Sequence, residues 1–153
     1  TAVIEAQIWC DKAENKEEMC QIVSGREWFK VPVEDILGRA TGTIDYGDGR
    51  VVKNSPEIMK YWSNHASYPY QSHDLWFLTE DQRWGYLPAD LDTKALIAKV
   101  NRQDLWRDAA KAAGATDPPA GTSRGIEKFF DGRSFDPANP AAYLASHDIK
   151  RIA

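Results

Sequence analysis

Ser67-Tyr-Pro-Tyr-Gln-Ser-His-Asp-Leu-Trp-Phe-Leu-Thr-Glu-Asp-Gln-Arg-Trp-Gly-Tyr-Leu-Pro88 holds six of the chain's seventeen aromatic residues, interleaved with His73, Asp74, Glu80, Asp81 and Arg83. Ser72 is placed to cap a helix running to about Trp84, with Leu75, Trp76, Thr79 and Arg83 close to one stripe; Gly85 supplies the stop and Pro88 the break. Two readings of this helix stand side by side. In one, His73, Trp76, Arg83 and Trp84 line a pocket for a small anion, the guanidinium giving a bidentate fork and the rings excluding water. In the other, the tryptophans belong to a core and Arg83 pairs with Asp74, Glu80 or Asp81.

Outward from this stretch the chain reads as short helices. Upstream, Ala2–Lys12 follows a helical pattern with Ile4 and Ile8 on one side, and Asn15 with Glu18 reads as a capping box opening a helix to about Val23. A short aromatic stretch, Arg26-Glu-Trp-Phe29, follows, and Pro32 begins a further helix ending at Gly38. Between residues 42 and 53, two β-prone runs flank Gly47-Asp-Gly49 and predict a hairpin. Ser55-Pro56 opens a helix to about Trp62, with Ile58, Met59 and Trp62 on one face. Downstream, Asp92 or Thr93 starts one helix and Asn101 to Asp104 another, which ends at Gly114. From Ala115 onward prolines and glycines dominate, with helical candidates only at about 123–130 and 139–145. This tail cannot form a core by itself; Ile126, Phe129, Phe130, Phe135, Tyr143 and Leu144 are its anchors onto another surface. The expected division is a helical region over 1–114 and an extended wrapping tail over 115–153, a mainly helical α+β chain.

At 153 residues the chain is long enough for one core and too short for two large ones. Its net charge of -4, with Lys and Arg scattered throughout, offers no basic patch for nucleic acid. No apolar run approaches the roughly 18–20 residues that cross a bilayer. A helical pattern already under way at Thr1 suggests a segment of a longer protein. Metal chemistry has no motif: His65, His73 and His147 are far apart, and Asp45 with Asp48 lacks the later glutamate of a calcium loop. Neither a serine-nucleophile nor a phosphate-loop signature is present, so an enzyme is not expected and no cofactor is called for. Cys10 and Cys20, ten residues apart across a helix-turn-helix, are either free buried thiols or a bridge between antiparallel helices.

The aromatic stretch, together with Glu5-Ala-Gln-Ile-Trp9, Asn15-Lys-Glu-Glu-Met19, Ser24-Gly-Arg-Glu-Trp28 and Tyr46-Gly-Asp-Gly-Arg50 before it, resembles the C-terminal part of the nitrate- and bicarbonate-binding solute receptors of bacterial ABC importers. After it, Lys99-Val-Asn-Arg-Gln-Asp-Leu-Trp106, Thr122-Ser-Arg-Gly125, Phe129-Phe-Asp-Gly132 and Phe135-Asp-Pro-Ala-Asn-Pro140 extend the likeness in the same order. The resemblance implies the C-terminal segment of a type II periplasmic-binding-protein-like fold, whose two α/β lobes close on nitrate or a similar oxyanion and dock on ABC permease subunits. It also implies that the anion-contacting residues lie upstream of Thr1, leaving His73, Trp76, Arg83 and Trp84 as secondary candidates, and that the rest of the receptor chain is this segment's partner. The implied compartment is the periplasm, with membrane anchoring through the N-terminus; a receptor-like regulatory domain fused to the importer's ATPase would instead be cytoplasmic. Cys10 and Cys20 stand where the family more often has aliphatic or alanine residues, which favours close helix apposition and the bridge.

Overall fold

The computed structural model describes residues 1–27, 29–115 and 118–151; Trp28, within the aromatic stretch after the second helix, lies outside them. The described residues form seven α-helices and two two-stranded antiparallel sheets, the mixed and mainly helical class expected. They divide into two compact units, residues 1–67 with 109–115, and residues 68–108 with those from 118 onward.

In the first unit, α1 (Ala2–Asp11) leads through a 3-10 turn (Ala13–Asn15) into α2 (Lys16–Ser24), which packs against α3 (Val33–Ala40). The Asn15 side chain does not cap α2; its Nδ2 donates back to the Trp9 carbonyl at 2.9 Å and so fixes the turn between α1 and α2. The predicted hairpin forms as β1 (Ile44–Asp45) and β2 (Val51–Val52), with Ile44 opposite Val52. Asp45 and Asp48 accept the Gly47 and Arg50 N–H groups at 2.8 and 3.0 Å, so both carboxylates stabilise their own turn.

The helix expected over 55–62 does not form. Ser55 Oγ accepts the Glu57 N–H at 3.1 Å, and the N–H groups of Tyr61, Trp62 and Ser63 donate to the Asp11 carboxylate at 2.9, 2.9 and 2.6 Å. Three successive N–H groups converging on one side chain are incompatible with helical bonding to carbonyls four residues back.

The second unit is built on α4 (Gln71–Arg83), with α5 (Thr93–Val100), the start of α6 (Gln103–Ala112), a hairpin of β3 (Glu127–Lys128) with β4 (Ser134–Phe135), and α7 (Pro140–Ala145). The caps at Asp92 and Asn139 form as their residue types require, each side chain accepting an N–H three residues on, from Ala95 at 2.9 Å and Ala142 at 3.2 Å. Around 123–130 the structure has β3 and a tight turn in place of the expected helix: Phe129 and Arg133 face each other through an N–H to carbonyl bond of 2.9 Å, and Gly132 takes a φ of +84° that favours glycine.

The buried face of α4 is polar. Ser72, Thr79 and Gln82 are buried there, and each makes at least one hydrogen bond. Ser72 Oγ, expected as a helix cap, instead accepts the Arg124 N–H at 3.1 Å; Thr79 Oγ1 donates to the Leu75 carbonyl at 2.6 Å; Gln82 Nε2 donates to the carbonyls of Pro88 and Ala89 at 3.0 and 3.1 Å. These hydrogen bonds offset the cost of burying polar groups.

The expected boundary at residue 114 also differs from the observed division. The tail joins the unit of α4: α7 and β4 pack together, α7 packs on α4, and the Gln71 N–H donates to the Thr122 carbonyl at 2.8 Å. Phe135 and Tyr143 are buried anchors within this unit, their rings 5.4 Å apart and edge-to-face, whereas Ile126 and Phe130 are exposed.

Candidate functional site

Of the four candidate residues on the aromatic helix, the structure brings two together. His73 and Trp76 line a hollow of about 280 Å³ with Phe77, Phe129, Arg124 and Glu127. Its walls are rings, and Trp76 and Phe129 lie 5.6 Å apart. Among its charged groups, Glu127 Oε1 lies 3.2 Å from His73 Nε2 and 3.5 Å from Arg124 Nε, and Lys128 also lines the hollow. An oxyanion entering beside Arg124 and His73 would meet the Glu127 carboxylate there, which opposes a small anion at that point.

Arg83 and Trp84 are not part of that hollow. The Arg83 guanidinium sits 4.4 Å from the Trp84 ring centroid, its Nε is 3.0 Å from Glu80 Oε2, and its Nη1 donates to His147 Nδ1. Both members of the Arg83–Glu80 pair are largely buried. Glu80 was among the partners foreseen for an internal pair, while His147 was not foreseen, and no spacing could have indicated it from 64 positions away. A guanidinium used in this way has its fork turned into the protein.

A second hollow, of about 310 Å³, lies in the first unit among Lys16, Met19, Cys20, Ile36, Met59 and Tyr61. Lys16 is buried, with Nζ 3.9 Å from the Asp11 carboxylate and 5.8 Å from the Tyr61 ring centroid. Burial works against ionising Asp11, yet the N–H groups of Ser63, Tyr61 and Trp62 outweigh it and hold the carboxyl below its ordinary range. Burial pushes the Cys20 thiol up, opposed by Lys16. The Cys10–Cys20 bridge is not formed: both cysteines are free, Cys20 buried in the wall of this hollow and Cys10 on the partly exposed side of α1.

Among the described residues no group of three or more His, Cys, Asp or Glu is placed to hold a metal ion, and no helix is long and apolar enough to cross a membrane. The residues that matter most to the geometry and were missed in the sequence are Asp11, Arg124, Glu127 and His147. Each acts on a partner more than fifty positions away, except Arg124, which pairs with its near neighbour Glu127.

No protein-family model matches the chain. It is 63% identical to the nitrate/nitrite-binding protein NrtA of Synechocystis over 154 residues, 99% of this chain and 34% of that protein. The bicarbonate-binding protein CmpA of Synechococcus elongatus is 43% identical over 97% of the chain and 35% of its own length. Among solved structures, the periplasmic nitrate-binding protein NrtA from Synechocystis superposes with a TM-score of 0.84 at 62% identity, covering 94% of this chain and 38% of that one. The periplasmic-binding-protein fold expected from the motifs is thus the fold this chain shares in part, and the chain spans about a third of the length of the curated relatives it matches. Over nearly its whole length, then, the chain is similar to about a third of the length of the nitrate-binding proteins.

Proposed function

We propose that the chain serves nitrate uptake as the C-terminal segment of a periplasmic solute-binding protein, working with the permease subunits and ATPase of an ABC importer. The observation that carries this reading is the gradient of identity, 63% to a nitrate/nitrite-binding protein against 43% to a bicarbonate-binding one over nearly the same residues. Within the receptor the segment acts as a structural clamp on one lobe and does not supply the anion contacts. Its hollows support that role, since one holds the Glu127 carboxylate against Arg124 and His73 and the other is walled mainly by apolar side chains.

In this reading the remaining part of the receptor covers the exposed rings of Phe77, Tyr86 and Phe130. Phe130 stands at the tip of a turn closed by the Phe129–Arg133 and Gly132–Phe129 hydrogen bonds and by the Asp131–Arg133 ion pair at 2.7 Å. A rigid, solvent-exposed ring loses little entropy on docking, which suits an anchor between parts of one chain.

Isothermal titration calorimetry with nitrate tests the proposal. The 153-residue chain alone is expected to show no saturable heat, while the full-length receptor binds nitrate. Saturable micromolar binding by the isolated chain overturns the clamp, and a full-length receptor that binds bicarbonate in preference to nitrate overturns the assignment of substrate.

A further inference from the structure

His147 follows α7 and reaches the C-terminal end of α4. Arginine only donates, so the contact between Arg83 Nη1 and His147 Nδ1 requires that Nδ1 be unprotonated and that the ring's one proton sit on Nε2, which is buried without a hydrogen-bond partner. The contact therefore exists only for the neutral ring. We propose that His147 is a proton-released latch holding the C-terminal segment, α7 with residues 146–151, against α4.

The surroundings of the ring disfavour a second proton on balance. From α4 it faces Arg83 and Glu80, from the β3–β4 hairpin Arg133 and Asp131, and from its own element the Tyr143 ring, 4.7 Å away. Both nearby carboxylates already hold a guanidinium, Glu80 through Oε2 with Arg83 at 3.0 Å and Asp131 with Arg133 at 2.7 Å, while Glu80 Oε1 is buried without a hydrogen-bond partner. A protonated Nδ1 would point a donor at the Arg83 donor, with a second guanidinium close by. Burial first, then Arg83 and Arg133, hold the ring's pKa below its ordinary value of 6.5.

The same few atoms carry the segment's other attachments. The Arg151 N–H donates to the Arg83 carbonyl at 2.7 Å, and Arg133 Nε donates to the Ser146 carbonyl at 3.2 Å. Displacing the ring disturbs both, and with them the seat of Tyr143 against Phe135.

The sign follows from linkage. The released ring titrates near 6.5 and the latched ring lower, so the released state binds more protons. The latch is fully present above 6.5 and is lost as pH falls toward the lowered value. Asp131, held below the usual carboxylate range by the Arg133 N–H and guanidinium, stays ionised through that window.

Amide hydrogen exchange of the chain between pH 7.5 and 5, corrected for intrinsic rates, reads the opening at Ser146 and Arg151. The opening constant is expected to rise by up to about tenfold per pH unit below about 6.5. In His147→Asn, whose Oδ1 keeps the acceptor and cannot be protonated, the rise should vanish. A flat profile in the wild-type chain, or the same slope in the variant, overturns the proposal. If the variant does not fold, an NMR titration of the wild-type ring decides: a midpoint below 6.5 supports the latch, and one at or above 6.5 overturns it.

Discussion

Asp11→Asn removes one charge and changes one atom, yet the structure assigns it a large cost. Asp11 Oδ1 accepts the Tyr61 N–H, and Oδ2 accepts those of Trp62 and Ser63. An asparagine keeps a single acceptor oxygen, so one side of the cluster must face an NH₂ group, donor against donor. A part-buried N–H left unsatisfied costs about 1–3 kcal/mol, and the bonds that survive lose their charge assistance. Ser63 is exposed, so water replaces its bond at little cost, while the buried Lys16 ammonium loses its counter-charge. The total comes to about 2–3 kcal/mol, a fall of about 1 M in the urea midpoint for an m-value near 2 kcal/mol/M. Urea denaturation followed by tryptophan fluorescence measures it. The Asp11 carboxyl lies below its ordinary 3.8 in the folded chain, so its contribution is present above 3.8 and lost as pH falls through the lowered value. The gap between wild type and variant should therefore be widest near neutrality and close in acid. A loss under about 0.5 kcal/mol at pH 7, or a gap that persists unchanged in acid, refutes the account.

Arg83→Ala in the full-length receptor should leave nitrate affinity within about twofold, and destabilise by about 2–4 kcal/mol because Glu80 stays largely buried without its partner; a hundredfold loss of affinity by calorimetry would place Arg83 in the ligand site. Gln82→Ala should cost about 1–3 kcal/mol by opening the carbonyls of Pro88 and Ala89, and should raise hydrogen exchange across residues 85–91; unchanged exchange there contradicts the assigned role. Thiol titration of the native chain should find Cys10 reacting ahead of Cys20, and the denatured chain should yield both thiols without reductant; a chain that yields none carries the bridge after all.

Where an element is fixed by bonds between near neighbours, it was legible in the sequence. Asp92 and Asn139 cap the helices they precede, and the 42–53 hairpin closes through Asp45 and Asp48 acting two residues ahead. Two of the failures share one cause. Ile58, Met59 and Trp62 do show a helical stripe, yet the backbone N–H groups at 61–63 are claimed by Asp11, fifty residues earlier. Ser72 does precede a helical run, yet its hydroxyl is used by Arg124, fifty-two residues later. A side chain that competes for backbone donors from such a distance leaves no trace in local periodicity.

The choice between the two readings of the candidate site stays open in the sequence for the same reason. Rings and charge at 73–84 are the ingredients of an anion pocket, and what bears on it is whether the donors of His73 and Arg83 are free. Glu127 occupies His73, and Glu80 with His147 occupies Arg83; only Glu80 is near in sequence. The residues that neutralise the helix arrive with the tail, so the tail that looked like mere covering is what turns an apparent binding face into a packing face.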